Sequence, residues 1–264
     1  MDSAAEIFMA VANASAALVA KAPSYVSYRV TGTVHFGRGE SPLARTVVVR
    51  TNDGRAIVRN ETTGAEQVED PFPASPTFDA LSHFRLDGGW TVQGVHEAAT
   101  RDVDLRIVNV HPLQYIMNPS NADAVVRTVK DYKVSAGAPG EDGTAHLHLE
   151  PNMANFGKHR NAWLTDVWYD PATLVPTRVV YAGFENFVLD ARYETIDGVW
   201  LLRSLRVAEL FRPLAGLFRN EAWFEGTFGD YRFSATAPDP RLAVSGAATT
   251  GRTEATTEPP GSTN

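Results

Sequence analysis

The sequence predicts a mainly β protein, built as one strongly curved antiparallel sheet with an amphipathic helix laid against it. Three observations predict this. From about residue 25 apolar and polar side chains alternate with a period of two, the period of a half-buried strand. Short turn-forming segments separate the alternating runs. Helical spacing is confined to residues 3–21 and to one short apolar stretch at 112–117.

The helix comes first. Ile7, Phe8, Val11, Leu18 and Val19 recur at helical spacing with alanines between them. Ser3 and Glu6 have the spacing of a capping box, and Pro23 ends the segment. The opposite side of this helix carries little charge, so it is expected to lie on an apolar surface. The first strand then places Val26, Tyr28, Val30, Val34 and Phe36 on one face with Gly32 among them, and Ser27, Arg29, Thr31, Thr33 and His35 on the other. Residues 45–51 and 55–60 flank Asn52-Asp53-Gly54, a hairpin signal.

Residues 62–82, with Pro71, Pro73 and Pro76, read as a loop. Strands are expected near 90–97, 103–110, 125–135 and 144–150. Between them, Pro112-Leu113-Gln114-Tyr115-Ile116-Met117 reads as a single helical turn, too short to stand without packing on a neighbour. From 162 onward strand signals are dense, near 162–169, 176–182, 184–194, 199–209, 220–228 and 230–235. Asp170-Pro171 and Asp197-Gly198 mark turns of a meander. After about 241 the chain is rich in Ala, Thr, Gly, Pro and Ser. The expectation is one domain over 1–241 and a disordered tail over 242–264.

Composition narrows the function. The chain has 264 residues, 44% of them hydrophobic, which suits one large domain or two small ones, with a sizeable core either way. A net charge of −7 argues against nucleic acid as the main partner, which calls for a basic face. The absence of cysteine excludes disulfides, thiolate metal sites and a cysteine nucleophile. No apolar run reaches the length of about 18 residues that would suggest a membrane-spanning helix. Asp2, Glu6 and Asn13 interrupt what would otherwise resemble a signal sequence, so none is read here.

Two segments in the C-terminal half carry a resemblance. They are Leu164-Thr165-Asp166-Val167-Trp168-Tyr169-Asp170-Pro171-Ala172-Thr173-Leu174-Val175-Pro176-Thr177-Arg178-Val179 and Tyr193-Glu194-Thr195-Ile196-Asp197-Gly198-Val199-Trp200-Leu201. With His111-Pro112-Leu113 and Leu147-His148-Leu149-Glu150-Pro151 upstream, their order resembles the LolA/LolB-type lipoprotein-carrier superfamily of bacteria, most clearly over 105–210 and weakly over 40–100. The resemblance implies a half-open antiparallel β-barrel. The N-terminal helix and the short helical turn would cover its concave face. It also implies a non-enzymatic carrier of lipid or lipoprotein acyl chains in the periplasm or another extracytoplasmic space. Such a carrier needs no cofactor and would work as a monomer, with an envelope protein as a further partner.

An acyl carrier needs apolar area. The residues offered for its cavity are Phe8, Val11 and Leu18 of the helix; Val26, Tyr28, Val30, Val34 and Phe36; Leu113 and Ile116; Phe187, Leu189 and Tyr193; and Phe224 and Phe228. The same side chains would equally fill an ordinary β core. Reactive groups are sparse. His146 and His148 share a strand face with Glu150 at a metal-ligand spacing, but with no evident third ligand they read as exposed. Asp166 and Asp170 are explained by strand and turn polarity, and Gly-x-Ser-x-Gly is absent. The apolar connection Phe211–Phe218, flanked by Arg212 and Arg219, suits either a membrane surface or the domain itself. Two rival functions remain: an envelope sensor or interaction domain of the same fold, and a metal-dependent enzyme using the two histidines.

Overall fold

A computed structural model describes residues 3–19, 23–36, 39–53, 55–69, 132–152, 162–183, 188–211 and 220–243. In chain order these form α1 (Ala4–Val19), β1 (Tyr25–Phe36), β2 (Gly39–Arg50), β3 (Ala56–Asn60), β4 (Glu66–Glu69), β5 (Tyr132–Ala136) and β6 (Ala145–Pro151). There follow β7 (Ala162–Tyr169), β8 (Pro176–Gly183), β9 (Val188–Ile196), β10 (Val199–Phe211), β11 (Asn220–Ser234) and a helical turn, α2 (Pro240–Ala243).

The 11 strands make one sheet in the order β4-β3-β2-β1-β11-β10-β9-β8-β7-β6-β5. Every neighbouring pair is antiparallel. Two meanders, β1 to β4 and β5 to β11, meet at the β1–β11 seam. Among the described residues the sheet ends at β4 and β5 and does not close into a barrel.

The turns follow their residues. Asp197 and Gly198 both take positive φ, 52° and 76°, the conformation that a tight hairpin with right-handed twist requires. Asp170 caps its own turn through the Ala172 N–H and the Thr173 hydroxyl. Asp53 closes the β2–β3 hairpin by accepting from the Arg50 guanidinium and the Arg55 N–H. At the start of α1 the capping box is formed. The Glu6 N–H donates to Ser3 Oγ at 3.3 Å, and the Ser3 N–H donates to the Glu6 carboxylate.

The contacts of α1 show how much of the sheet it spans. The helix packs on β5 and on β10, which stand five strands apart. Neighbouring strands are separated by about 4.8 Å, so the arc between them is roughly 24 Å. The helix has 16 residues and is about 24 Å long. It therefore lies across the strands from one limb to the other, with β6 to β9 between its contacts. At the seam, Gly32 pairs with Gly226. A Cβ on Gly32 would stand 2.2 Å from the Glu225 carbonyl oxygen, so only glycine lets these backbones approach.

The structure corrects several expectations. Residues 66–69, read as loop, pair with β3 as a short strand. The pair of strands expected at 220–228 and 230–235 is one strand, β11, irregular where the register with β1 shifts between Ser27 and Arg29. Leu242, assigned to the tail, is fully buried in α2. Arg50 donates to its carbonyl oxygen at 2.6 Å, and Arg241 is bonded to Glu66. Leu242 and the buried Arg50 beneath it anchor that turn. The strands expected at 90–97 and 103–110, the turn at 112–117 and residues 212–218 of the apolar connection lie outside the described residues.

Candidate functional site: the apolar face beneath the helix

The two faces of the sheet differ sharply. On one face, Val26, Tyr28 and Val30 of β1 are joined by Phe224 and Phe228 of β11 and by Leu205 and Val207 of β10. Leu189, Ala191 and Tyr193 of β9, Val179 and Tyr181 of β8, Leu164 and Val167 of β7, and Leu147 and Leu149 of β6 continue the surface. Phe8, Val11 and Ala12 of α1 complete the same core. Alternation along each strand sends these side chains to one side, as the period of two demands.

Of the residues expected to line a cavity, Phe8, Val11, Val26, Tyr28, Val30, Leu189, Tyr193, Phe224 and Phe228 are brought together here and buried. Leu18 and Val34 pack against this cluster while partly exposed. The side chain of Phe36, and all of Leu113, Ile116 and Phe187, lie outside the described residues.

Polar atoms on this face are few, and most are matched. The Tyr132 hydroxyl oxygen accepts from the Leu164 N–H at 3.1 Å. Tyr231 donates to the Leu202 carbonyl, and its ring lies 5.6 Å from that of Tyr28. Trp200 donates through Nε1 to the Pro176 carbonyl at 2.8 Å and packs on Tyr193. Ser15 donates back to the Ala12 carbonyl. The Tyr181 hydroxyl is buried and, among the described residues, makes no hydrogen bond. Burial, followed by the neighbouring phenols of Tyr193 and Tyr132, pushes its pKa well above the ordinary tyrosine value. It is therefore a neutral O–H group. Arg45 also sits at an inward, buried position of β2 among Leu43, Val47 and Val49. Alternation in residues 43–49 signalled that position, but the sequence reading passed over it.

The other face is polar and carries a ladder that the sequence reading did not assemble. His146 stacks on Trp168 with ring centroids 4.3 Å apart, and the Arg178 guanidinium lies 4.4 Å from the same Trp168 ring. Arg178 pairs with Asp190 through two hydrogen bonds. Asp166 Oδ1 lies 2.9 Å from both His146 Nε2 and His148 Nδ1. His146, expected to be exposed, keeps only 13% of its side-chain exposure. Asp166 is the third group the sequence reading lacked, supplied by β6–β7 pairing that sets His148 opposite it. Among the described residues no group of three or more His, Cys, Asp or Glu is arranged to hold a metal ion. Further along this face, Thr31, Thr33, Asp190, Arg192, Arg206 and Glu225 line an open trough of about 760 Å³.

The chemistry available therefore divides by face. The apolar side offers area, a helix across it and, among the described residues, the unmatched hydroxyl of Tyr181. The polar side offers stacked rings and paired charges.

No family model matches the sequence, and no curated protein matches it. Among solved structures, the chain is similar to a DUF1329 family protein from Desulfovibrio piger, at 13% identity and a TM-score of 0.38, covering 89% of this chain and 96% of that one. It is similar to a putative outer membrane lipoprotein-sorting protein domain from Vibrio parahaemolyticus, at 12% identity and a TM-score of 0.36, covering 88% and 95%. It is also similar to a LolA superfamily protein from Nitrosomonas europaea, at 11% identity and a TM-score of 0.39, covering 86% and 96%.

Proposed function

We propose that this chain is a non-enzymatic binding protein that holds the acyl chain of a lipid or lipoprotein between α1 and the apolar face of the sheet, outside the cytoplasm. The observation that carries the reading is the span of α1. The helix touches β5 and β10, so it crosses an apolar surface that β6 to β9 extend beneath it. An acyl chain placed there gains about 0.8 kcal/mol per buried CH₂. A long chain can then be held with no reactive group at all. The ordered series from Leu164 to Leu201, resembling lipoprotein carriers, supports the same reading.

Organic extraction of the purified protein followed by mass spectrometry tests it. Copurified acyl lipid, and displacement of a hydrophobic dye by added lipid, are the expected results. A protein that carries no lipid and binds neither dye nor lipid is not a carrier.

A further inference from the structure

Resting on that reading, we propose that the Tyr181 hydroxyl is the polar contact for the bound molecule, and that this molecule is an acyl ester or acyl amide held through its carbonyl oxygen. The side chain is fully buried on β8, one of the strands between β5 and β10, the two that α1 packs against. Its register partners are Leu164 on β7 and Leu189 on β9, both also fully buried. The hydroxyl thus lies among apolar side chains, near the phenols of Tyr193 and Tyr132, and among the described residues makes no hydrogen bond, whereas Tyr132 and Tyr231 on the same sheet each have a backbone partner. Buried hydroxyls in folded proteins are generally paired, so an unpaired one in a binding face points to a partner brought by the ligand.

The chemistry of that partner follows from the site. A neutral phenol offers an O–H donor and calls for an acceptor. A neutral carbonyl satisfies it without bringing charge into an apolar setting. A free carboxylate would bring a charge that needs a counter-ion. Among the described residues, Arg45 at its inward position stands on β2, five strands from β8. The site therefore favours an ester or amide over a free fatty acid.

The test uses the full chain and its Tyr181→Phe variant, with three probes competing against a hydrophobic dye: methyl palmitate, hexadecane and palmitate. The wild type is expected to bind methyl palmitate more tightly than palmitate. In Y181F the Kd for methyl palmitate rises about three- to tenfold, the loss of one hydrogen bond, and the Kd for hexadecane is unchanged. The Tm of unliganded Y181F equals or exceeds that of the wild type, since the change removes an unmatched polar atom. Equal loss for ester and alkane, no loss for the ester, or a lowered Tm would each overturn the role of the hydroxyl while leaving acyl binding intact. Palmitate binding as tightly as its ester would overturn the ligand class. A wild type that binds none of the probes overturns the carrier reading, and this inference with it.

Discussion

His146 reaches Asp166 Oδ1 through Nε2 at 2.9 Å, across the β6–β7 pair. His148 approaches the same oxygen at the same distance. Burial alone would raise the Asp166 pKa; the hydrogen bonds from His148 and His146, with the Thr165 side chain, outweigh it and hold the group below the ordinary aspartate range. A depressed carboxylate contributes stability above its unfolded pKa of about 3.9 and loses it as pH falls through the lower folded value. Asp166→Asn is therefore expected to cost about 1–3 kcal/mol at pH 7. Its difference from the wild type should shrink below about pH 4. Urea unfolding at pH 7, 4 and 2.5 measures this, and a pH-independent difference would count against the charge-based account.

Gly32 and Gly229 make a matched comparison. A Cβ at Gly32 meets the backbone of Glu225 and Gly226, whereas one at Gly229 meets nothing within 4 Å. Gly32→Ala is expected to lower stability by more than about 3 kcal/mol, because backbone on two strands must move. Gly229→Ala should stay within about 1 kcal/mol. Similar thermal midpoints for the two variants would contradict the close approach at the seam.

The turn after β11 is a second anchor. Ending the chain at residue 241 removes buried Leu242 and the carbonyl that accepts from Arg50. A cost of about 2–4 kcal/mol is expected, in the range of a lost core leucine plus an unmatched buried donor. Ending it at residue 243 should leave the Tm within about 2 °C. If both truncations melt together, the anchor is not where the structure puts it.

Along α1, Phe8 is fully buried and Leu18 is only partly covered. Phe8→Ala is expected to cost about 3–5 kcal/mol and Leu18→Ala less than half of that. Guanidinium titrations of both variants decide it. Equal costs would mean that the helix does not lean on the sheet through its first half.

Much of the fold was legible because its signals are local. Ser3 with Glu6, the alternation from Val26 to Val34 and the Asp197-Gly198 turn each act within a few residues, and each formed as its chemistry dictates. The apolar set was legible for the same reason, since alternation alone assigns Val30, Leu189 and Phe224 to one side. What stayed hidden depends on distant partners. His146 looked exposed because nothing in its own strand shows that Asp166 and Trp168 will lie alongside, whereas His148 is exposed as expected. Leu242 looked like tail because its surroundings in sequence are polar, and only Arg50, 192 residues away, reveals the anchor. The missing hydrogen bond of Tyr181 is likewise a property of neighbours that the sequence does not name.

The seam between β1 and β11 has a consequence for how the chain reaches this state. Thr31 and Thr227 meet there from positions 196 residues apart. Loop closure on that scale is costly in entropy, and folds dominated by such contacts assemble slowly. The early meander can form while the later strands are still being synthesised, but its β1 edge stays unpaired until β11 arrives. Completion of the sheet is then a late event, and the apolar side chains of β1 stay exposed to other chains until it occurs. Among the described strands, a chain interrupted between β10 and β11 is left with β1 to β4 and β5 to β10 as two unjoined sheets.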